Sequence, residues 1–591
     1  MMATYADRPW VKHYDSGVPA SLQPYPNQPL FQSLREIAAK TPDAVALVSN
    51  AHVPLFGRLA REMSYAELDR QSDELAAALQ AMGVQRGDRV ALVLPNVAAF
   101  VISFYAVLKA GAVVAAMNPT FPAEKLQWYL DDCDARVVIA MSLFYDTLKS
   151  VQGRTKIETM IVTNVKEYLP SIAATLFTIA KEKKGGHRVS ALDAGDVWLQ
   201  DLLKQYAGKK STGEVTGDDL AIFQYTGGTT GIAKAAMSTH RALVANTLQC
   251  QTWLLGDRDT GANEIFLGAI PMFHVFGMVA VLSFATSMGA RIILVPNARD
   301  LSDVLDVIDV FKPTLFNGVP ALYNALNEHP DVKSGKRSLR SINLCVSGSA
   351  PLPPAVKRHF EELCNGTLLE GFGMSEAPTA THCNPARGEN RTGSIGMPFP
   401  DVEIRIVSLD DSVSDVPVGE IGELLISGPQ LMLGYHKMPD ETAIALRELD
   451  GKTWLYTGDI ARMDEEGYCY IIDRKKDMVI IGGFNVYPTN VEKVLAEHPA
   501  VHEVAVAGVP HPEKPGLETL KAWVVLRQGE QVTADELIAH AKVHLAHYEL
   551  PRRITFVEGL PKTAVGKTLR RELVAEELTS LAGEQAVEAR E

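Results

Sequence analysis

The chain is 591 residues long, 47% hydrophobic and 22% charged, enough for a large buried core and too long for a single domain. A net charge of −14 and a pI near 5.6 provide no general basic stripe for a phosphate backbone, so a nucleic-acid partner is not expected. The six cysteines are scattered without a CxxC pair or a histidine at zinc-ligand spacing, and they read as buried free thiols of a reducing compartment.

The N-terminus, MMATYADRPWVKHYDSGVP, places charges and prolines where an export signal needs an apolar run, and a cytoplasmic enzyme is expected. From Phe31 to about Asp473, apolar helical periods alternate with short β-rich runs such as DRVALVLPN, RVVIAMS and ARIILVPN, which predicts an α/β sheet architecture. Phe104 to Gly111 reads as a helix stopped at its glycine.

No stretch reaches the roughly 18 apolar residues of a membrane-spanning helix. The nearest, Tyr168 to Ala180, is followed by KEKK and GGHR, so 168–188 fits either an interfacial helix beside anionic headgroups or a helix packed on the protein's own surface. Lys209 to Asp219 is a polar connection before the next strand.

Three apolar runs then end in glycine-bearing loops: LAIFQY into TGGTTG, SINLCV into SGSAPL, and GTLLE into GFGMSE. Ligands of α/β sheets collect beyond the carboxyl ends of strands, so these loops are expected to wall one crevice. The first loop, Thr226 to Lys234, combines Gly227, Gly228 and Gly231 with the hydroxyls of Thr226, Thr229 and Thr230 and one ammonium. Glycines admit phosphate oxygens to backbone N–H groups, hydroxyls donate further hydrogen bonds, and lysine adds charge, so it reads as a phosphate cradle. It fits neither GxxxxGK[ST] nor GxGxxG, and the later GKT at Gly566 to Thr568 fails as a Walker loop because Pro561 replaces the first glycine.

After the charged run Asp473 to Asp477 the texture becomes a smaller α+β pattern: helix VEKVLAEH, strands VHEVAVAGV and TLKAWVVL, helix TADELIAHAKVHL and strand RITFVE. The expected domains are therefore 1–473 and 474–591, the second carrying Lys567 in PKTAVGK.

The ordered set YTGGTTGIAK, SGSAPL, EGFGMSE, WLYTGD, DRKKDMVIIGGFNVYP and LPKTAVGK resembles the adenylate-forming family of acyl-CoA synthetases, luciferases and peptide-synthetase adenylation domains. Its GGTTGIAK and GFNVYP variants are most similar to long-chain fatty acid–CoA ligases. The resemblance implies a large N-terminal domain of α/β sheets plus a barrel-like subdomain, and a small mobile α+β domain. It implies ATP, Mg²⁺ and CoA, and a fatty acid made into an acyl adenylate and then a thioester; the oligomeric state, a homodimer among the options, is left open by the sequence.

Residue by residue, Lys567 corresponds to the lysine bridging acyl carboxylate and phosphate, and Glu376 to the Mg²⁺ ligand, with Thr226 and Lys234 in the phosphate loop. Gly348, Ser349 and Ala350 match the adenine-side loop, and Glu370, Gly371, Phe372, Gly373, Met374 and Ser375 the nucleotide-binding EGFGMS segment, with Phe372 against adenine and Ser375 on a phosphate or carboxylate oxygen. Asp459 and Arg474 match the ribose and phosphate contacts, and Lys476 the hinge. Gly482, Gly483 and Phe484 match the pantetheine tunnel, and Phe273, His274 and Gly318 the acyl pocket.

Phe372 keeps the ring of the family's tyrosine without its hydroxyl, and Ser375 stands for its threonine. Gly227, Ala233 and Ala235 replace the family's serine, proline and glycine. An ionised carboxylate needs no general base, so His274 reads as a wall or gate. The rival readings are an acyl-AMP ligase serving a separate carrier, a silent nucleotide-binding regulator, and a luciferase-type monooxygenase.

Overall fold

The computed structural model describes residues 4–226, 233–257, 261–511, 517–563 and 566–588, the last stretch without its side chains beyond 580. The chain forms two compact units: Trp10–Glu403 with Ser427–Leu455, and Met1–Pro9 with Ile404–Ile426 and Tyr456–Glu591. The Asp473/Arg474 boundary read from the sequence falls inside the smaller unit.

The larger unit contains two sheets among the described residues. In the eight-stranded one, Arg89–Val93 sits between Val113–Ala116 and Val137–Met141, with Leu220–Thr226 beyond Val113–Ala116, all parallel. These central strands are covered on both faces, which is why they read as continuous apolar runs rather than alternating ones. Lys234–Thr239 returns antiparallel along Leu220–Thr226, and Gly434–Tyr435 pairs antiparallel beyond it. The nine-stranded sheet carries Leu315–Gly318, Leu344–Ser347 and Thr367–Met374 side by side and parallel, with Ala377–Cys383 folded back antiparallel.

The expected helix at Phe104 to Gly111 is the end of Ala98–Lys109, buried on every side, with Gly111 at φ +78° just beyond it. Its Lys109 is tolerated inside because Nζ lies 2.6 Å from Asp69 and 3.0 Å from Asp73.

Tyr168 to Ala180 supplies a helix at Ser171–Ala180, of which only Ala173 is fully buried. Ile172, Leu176 and Ile179, at helical spacing, are 50%, 40% and 78% exposed. No helix among the described residues is long and apolar enough to cross a membrane. All six cysteines are free and buried.

In the smaller unit, Cys469–Arg474 pairs with Lys452–Met463, and a separate sheet of Val501–Pro510, Glu518–Leu526 and Arg553–Phe556 packs helices Pro488–Ala496 and Ala534–Ala541 around Val491, Leu495, Val506, Leu520 and Leu537. These are the helices and strands that the sequence pattern predicts. Gly482 and Gly483, at φ +61° and +86°, make the two-residue turn between Val479–Ile481 and Phe484–Val486, a conformation that strongly favours glycine.

Candidate functional site

Thr226 and Lys234, the two ends of the segment read as a phosphate cradle, are register partners across the antiparallel pair. Gly227, Gly228, Thr229, Thr230 and Gly231 lie outside the described residues. The Lys234 ammonium forms an ion pair with Glu441 and lies 5.2 Å from the ring centroid of Tyr435.

Ser375 and Glu376 form the tight turn between Thr367–Met374 and Ala377–Cys383, so Glu376 projects from the end of the sheet. Its Oε1 accepts a hydrogen bond from the Tyr435 hydroxyl at 2.7 Å. Sequence reading brought Lys234 and Glu376 forward from separate motifs. The structure joins them through Tyr435, which it did not single out, and whose only local signal is its place in GYHKMPDET.

Glycines let neighbouring segments come close. A Cβ on Gly373 would stand 1.6 Å from the Thr379 carbonyl oxygen, and one on Gly318 2.7 Å from the Tyr323 ring. Ser349 holds φ +72° beside Gly348, and Ala350 follows it in the loop. Glu370 is buried and accepts from the Gly393 N–H at 2.7 Å, which ties it to a neighbouring loop.

Some of these residues line a cavity of about 70 Å³. Gly348, Ser349, Gly371, Phe372, Gly373 and Met374 contribute to its wall. The remainder is largely apolar, with Leu254, Val275, Phe276, Phe284 and Phe399. A largely apolar wall with a few polar groups is the usual character of a small-molecule site. Phe372 meets His382 edge-on at 5.8 Å between ring centroids.

His274 is on the wall: burial pushes it down to about 4, so it is neutral at pH 7, and Nδ1 accepts from the Phe276 N–H at 3.3 Å. Phe273 and Gly318 are chain neighbours of the wall residues His274 and Asn317. Asn96, another residue that sequence reading passed over, fixes this segment. Its Oδ1 accepts from the Met272 N–H at 2.8 Å and its Nδ2 donates to the Gly268 and Ile270 carbonyls at 2.9 and 2.8 Å.

The smaller unit gathers the other group. Asp459 and Arg474 are register partners on adjacent strands, with Arg474 Nε 2.7 Å from the buried Asp459 carboxylate. Lys567 stands on a turn closed by Lys567 N–H to Thr563 Oγ1 at 3.1 Å and Thr563 N–H to the Lys567 carbonyl at 2.9 Å. The Arg474 charge above all, then burial and Lys476, hold the Lys567 ammonium down to about 8 against the opposing pull of Asp459 and Asp477. Because the Lys567 side chain is exposed, the neighbouring guanidinium is the cause to credit first.

Lys476 follows on the turn after Arg474, its pKa lowered by burial. Arg570 ties that turn down, reaching Asp477 at 3.1 Å, Asp473 at 3.4 Å and Glu492 at 2.7 Å. Phe484 stacks on Tyr548 at 4.4 Å with the rings 8° apart, and remains 54% exposed.

The chain matches the AMP-binding enzyme family over residues 34–436 and the AMP-binding enzyme C-terminal domain over 490–567. It is 40% identical to a long-chain-fatty-acid–CoA ligase of Bacillus subtilis over 97% of this chain and 98% of that one. It is 35% identical to the enzyme of the same name from Salmonella typhimurium over 95% and 97%. Among solved structures, the anthranilate CoA ligase AuaEII in complex with anthranoyl-AMP is similar, with a TM-score of 0.79 and 28% identity over 94% of this chain and 98% of that one. Family matches over residues 34–436 and 490–567, with relatives matched over nearly the whole length, lead to one assignment: the chain belongs to the AMP-binding enzyme family.

Proposed function

We propose that this protein is an ATP-dependent long-chain fatty acid–CoA ligase. The observation that carries the reading is the largely apolar cavity whose wall includes Gly348, Ser349 and Gly371 to Gly373, supported by the names of the relatives. A fatty acid carboxylate oxygen attacks the α-phosphorus of ATP, and the bond to pyrophosphate breaks. The CoA sulfur then attacks the acyl carbon, its proton leaves to solvent, and the bond to AMP breaks.

Each residue has a task in this scheme. Lys234, with Thr226 and the loop 227–231, grips the triphosphate; Phe372 and Gly348 to Ala350 receive adenine; Asp459 and Arg474 receive ribose and phosphate. Lys567 stabilises the charge developing between carboxylate and phosphate, where preorganised cations contribute most. His274 shapes the acyl wall and moves no proton. Lys476 is the hinge between 1–473 and 474–591, and Gly482 to Phe484 receive pantetheine.

Glu376 fits Mg²⁺: its carboxylate is paired with no cation among the described residues, and Mg²⁺ typically takes one or two carboxylates together with water and substrate phosphates. Bound there, the ion would neutralise phosphate charge.

The test is AMP release across acetate, octanoate, palmitate and oleate, with and without CoA, and with a carrier protein as the alternative acceptor. The expected result is preference for the long acids and turnover with CoA. Turnover only with the carrier overturns the CoA ligase reading.

The acid reaches the enzyme at a membrane face contacted by 168–188. Ile172, Leu176 and Ile179 stand uncovered, and Lys181, Lys183, Lys184 and Arg188 follow them exposed. Each aliphatic side chain gains up to roughly 1.5–3 kcal/mol on full burial, and each surface cation about 1 kcal/mol beside anionic lipid. Deleting Ser171 to Lys181 is expected to weaken flotation with phosphatidylserine-containing vesicles at low salt. Unchanged flotation would remove the membrane role.

A further inference from the structure

Tyr435 touches both charged groups of the larger unit on which the proposed adenylation depends. Its hydroxyl donates to Glu376 Oε1 at 2.7 Å, and the Lys234 ammonium lies 5.2 Å from its ring centroid. The ring is 8% exposed, so these contacts form where water competes weakly.

The tyrosine is itself held from several directions. It is the register partner of Ala236, two residues after Lys234, so strand pairing sets its position relative to the lysine. Its N–H donates to Thr442 Oγ1 at 2.8 Å. The preceding Gly434 holds φ +143°, and a Cβ there would stand 2.7 Å from Thr442 Cγ2, so the close approach that seats Tyr435 depends on glycine.

A glutamate on a two-residue turn has freedom in its side chain, and a metal-binding carboxylate that must be ordered at the moment of binding loses affinity. A hydrogen bond to one oxygen removes that freedom and leaves the other oxygen for the ion. We propose that Tyr435 is a positioning residue for the Mg²⁺–ATP site: its hydroxyl orients the Glu376 carboxylate and its ring face seats the Lys234 ammonium. Outer-shell partners of metal ligands are commonly worth 10–100-fold in metal affinity. This rests on Glu376 being the Mg²⁺ ligand, and the experiment separates the two claims.

ATP binding by calorimetry is measured across a Mg²⁺ titration, and with Mg²⁺ chelated, for Tyr435→Phe, Tyr435→Leu and Glu376→Gln, with thermal unfolding alongside. Tyr435→Phe keeps the ring and loses the hydroxyl. It is expected to raise the Mg²⁺ concentration for half-maximal binding about 10-fold or more while metal-free ATP binding and Tm stay unchanged. Tyr435→Leu is expected to weaken metal-free binding as well. If Glu376→Gln shifts the Mg²⁺ dependence and Tyr435→Phe does not, the positioning role is overturned. If neither shifts it, the metal assignment of Glu376 fails and this inference with it. A fall in Tm with equal losses at every Mg²⁺ concentration would make Tyr435 a packing residue only.

Discussion

Lys234 and Lys567 are given the same broad task, holding anionic oxygen, but their surroundings are opposite. Lys234, in the larger unit, already has an anion: Glu441 pairs with it and the Tyr435 ring lies beneath it. Lys567, in the smaller unit, has another cation as its strongest electrostatic neighbour, and Arg474 drives it down to about 8. A lysine satisfied by a carboxylate must exchange partners when phosphate arrives. One crowded by like charge gains most from an arriving anion. The first arrangement suits a standing grip, and the second suits a group that acts when carboxylate and phosphate are both present.

The contrast breaks first if the two lysines fail in the same way. Lys567→Ala is expected to lower adenylate formation on the order of 10²–10³-fold, the scale for losing one preorganised donor to developing charge. Lys234→Ala is expected to act on ATP binding, raising its KM about 10-fold to 100-fold, the scale of a lost charge-assisted hydrogen bond. Parallel pyrophosphate-exchange kinetics on both variants test this, and matching kcat and KM effects would erase the distinction.

The pH dependence sharpens it next. The Lys567 ammonium loses its proton as pH rises through about 8, so kcat/KM for adenylation, which reports the free enzyme, is expected to fall above that pH. Lys567→Arg, which stays protonated, should lose that alkaline limb whatever its absolute rate. An unchanged limb would assign it to another group.

The smallest expected effect is at Glu441. Partly exposed ion pairs are worth about 0–1 kcal/mol, so Glu441→Gln is expected to tighten ATP binding by no more than about five-fold by removing the competing carboxylate. Weaker binding in calorimetry would show that Glu441 seats Lys234 for the nucleotide instead of competing with it.

Much of this was legible in the sequence because backbone requirements leave a chemical trace. The Gly482–Gly483 turn and the tight Gly373 crossing each need glycine, and glycine is visible in a string of letters. The parallel strands announced themselves as unbroken apolar runs. Tyr435, Glu441 and Asn96 were not legible, because each acts across 59 to 207 residues of chain through contacts that only the folded sheets create. The helix at Ser171–Ala180 shows the same limit: its apolar content was evident, but which side chains the protein itself covers is decided by tertiary packing. The return of Ile404–Ile426 to the smaller unit is likewise a non-local pairing without a local signature.

The most direct test of the central claim separates the two half-reactions in Lys567→Ala. Given ATP and palmitate, the variant is expected to form almost no adenylate. Given synthetic palmitoyl adenylate and CoA, it is expected to form palmitoyl-CoA at close to the parent rate. Equal loss of both steps would contradict the assignment of Lys567 to adenylation alone.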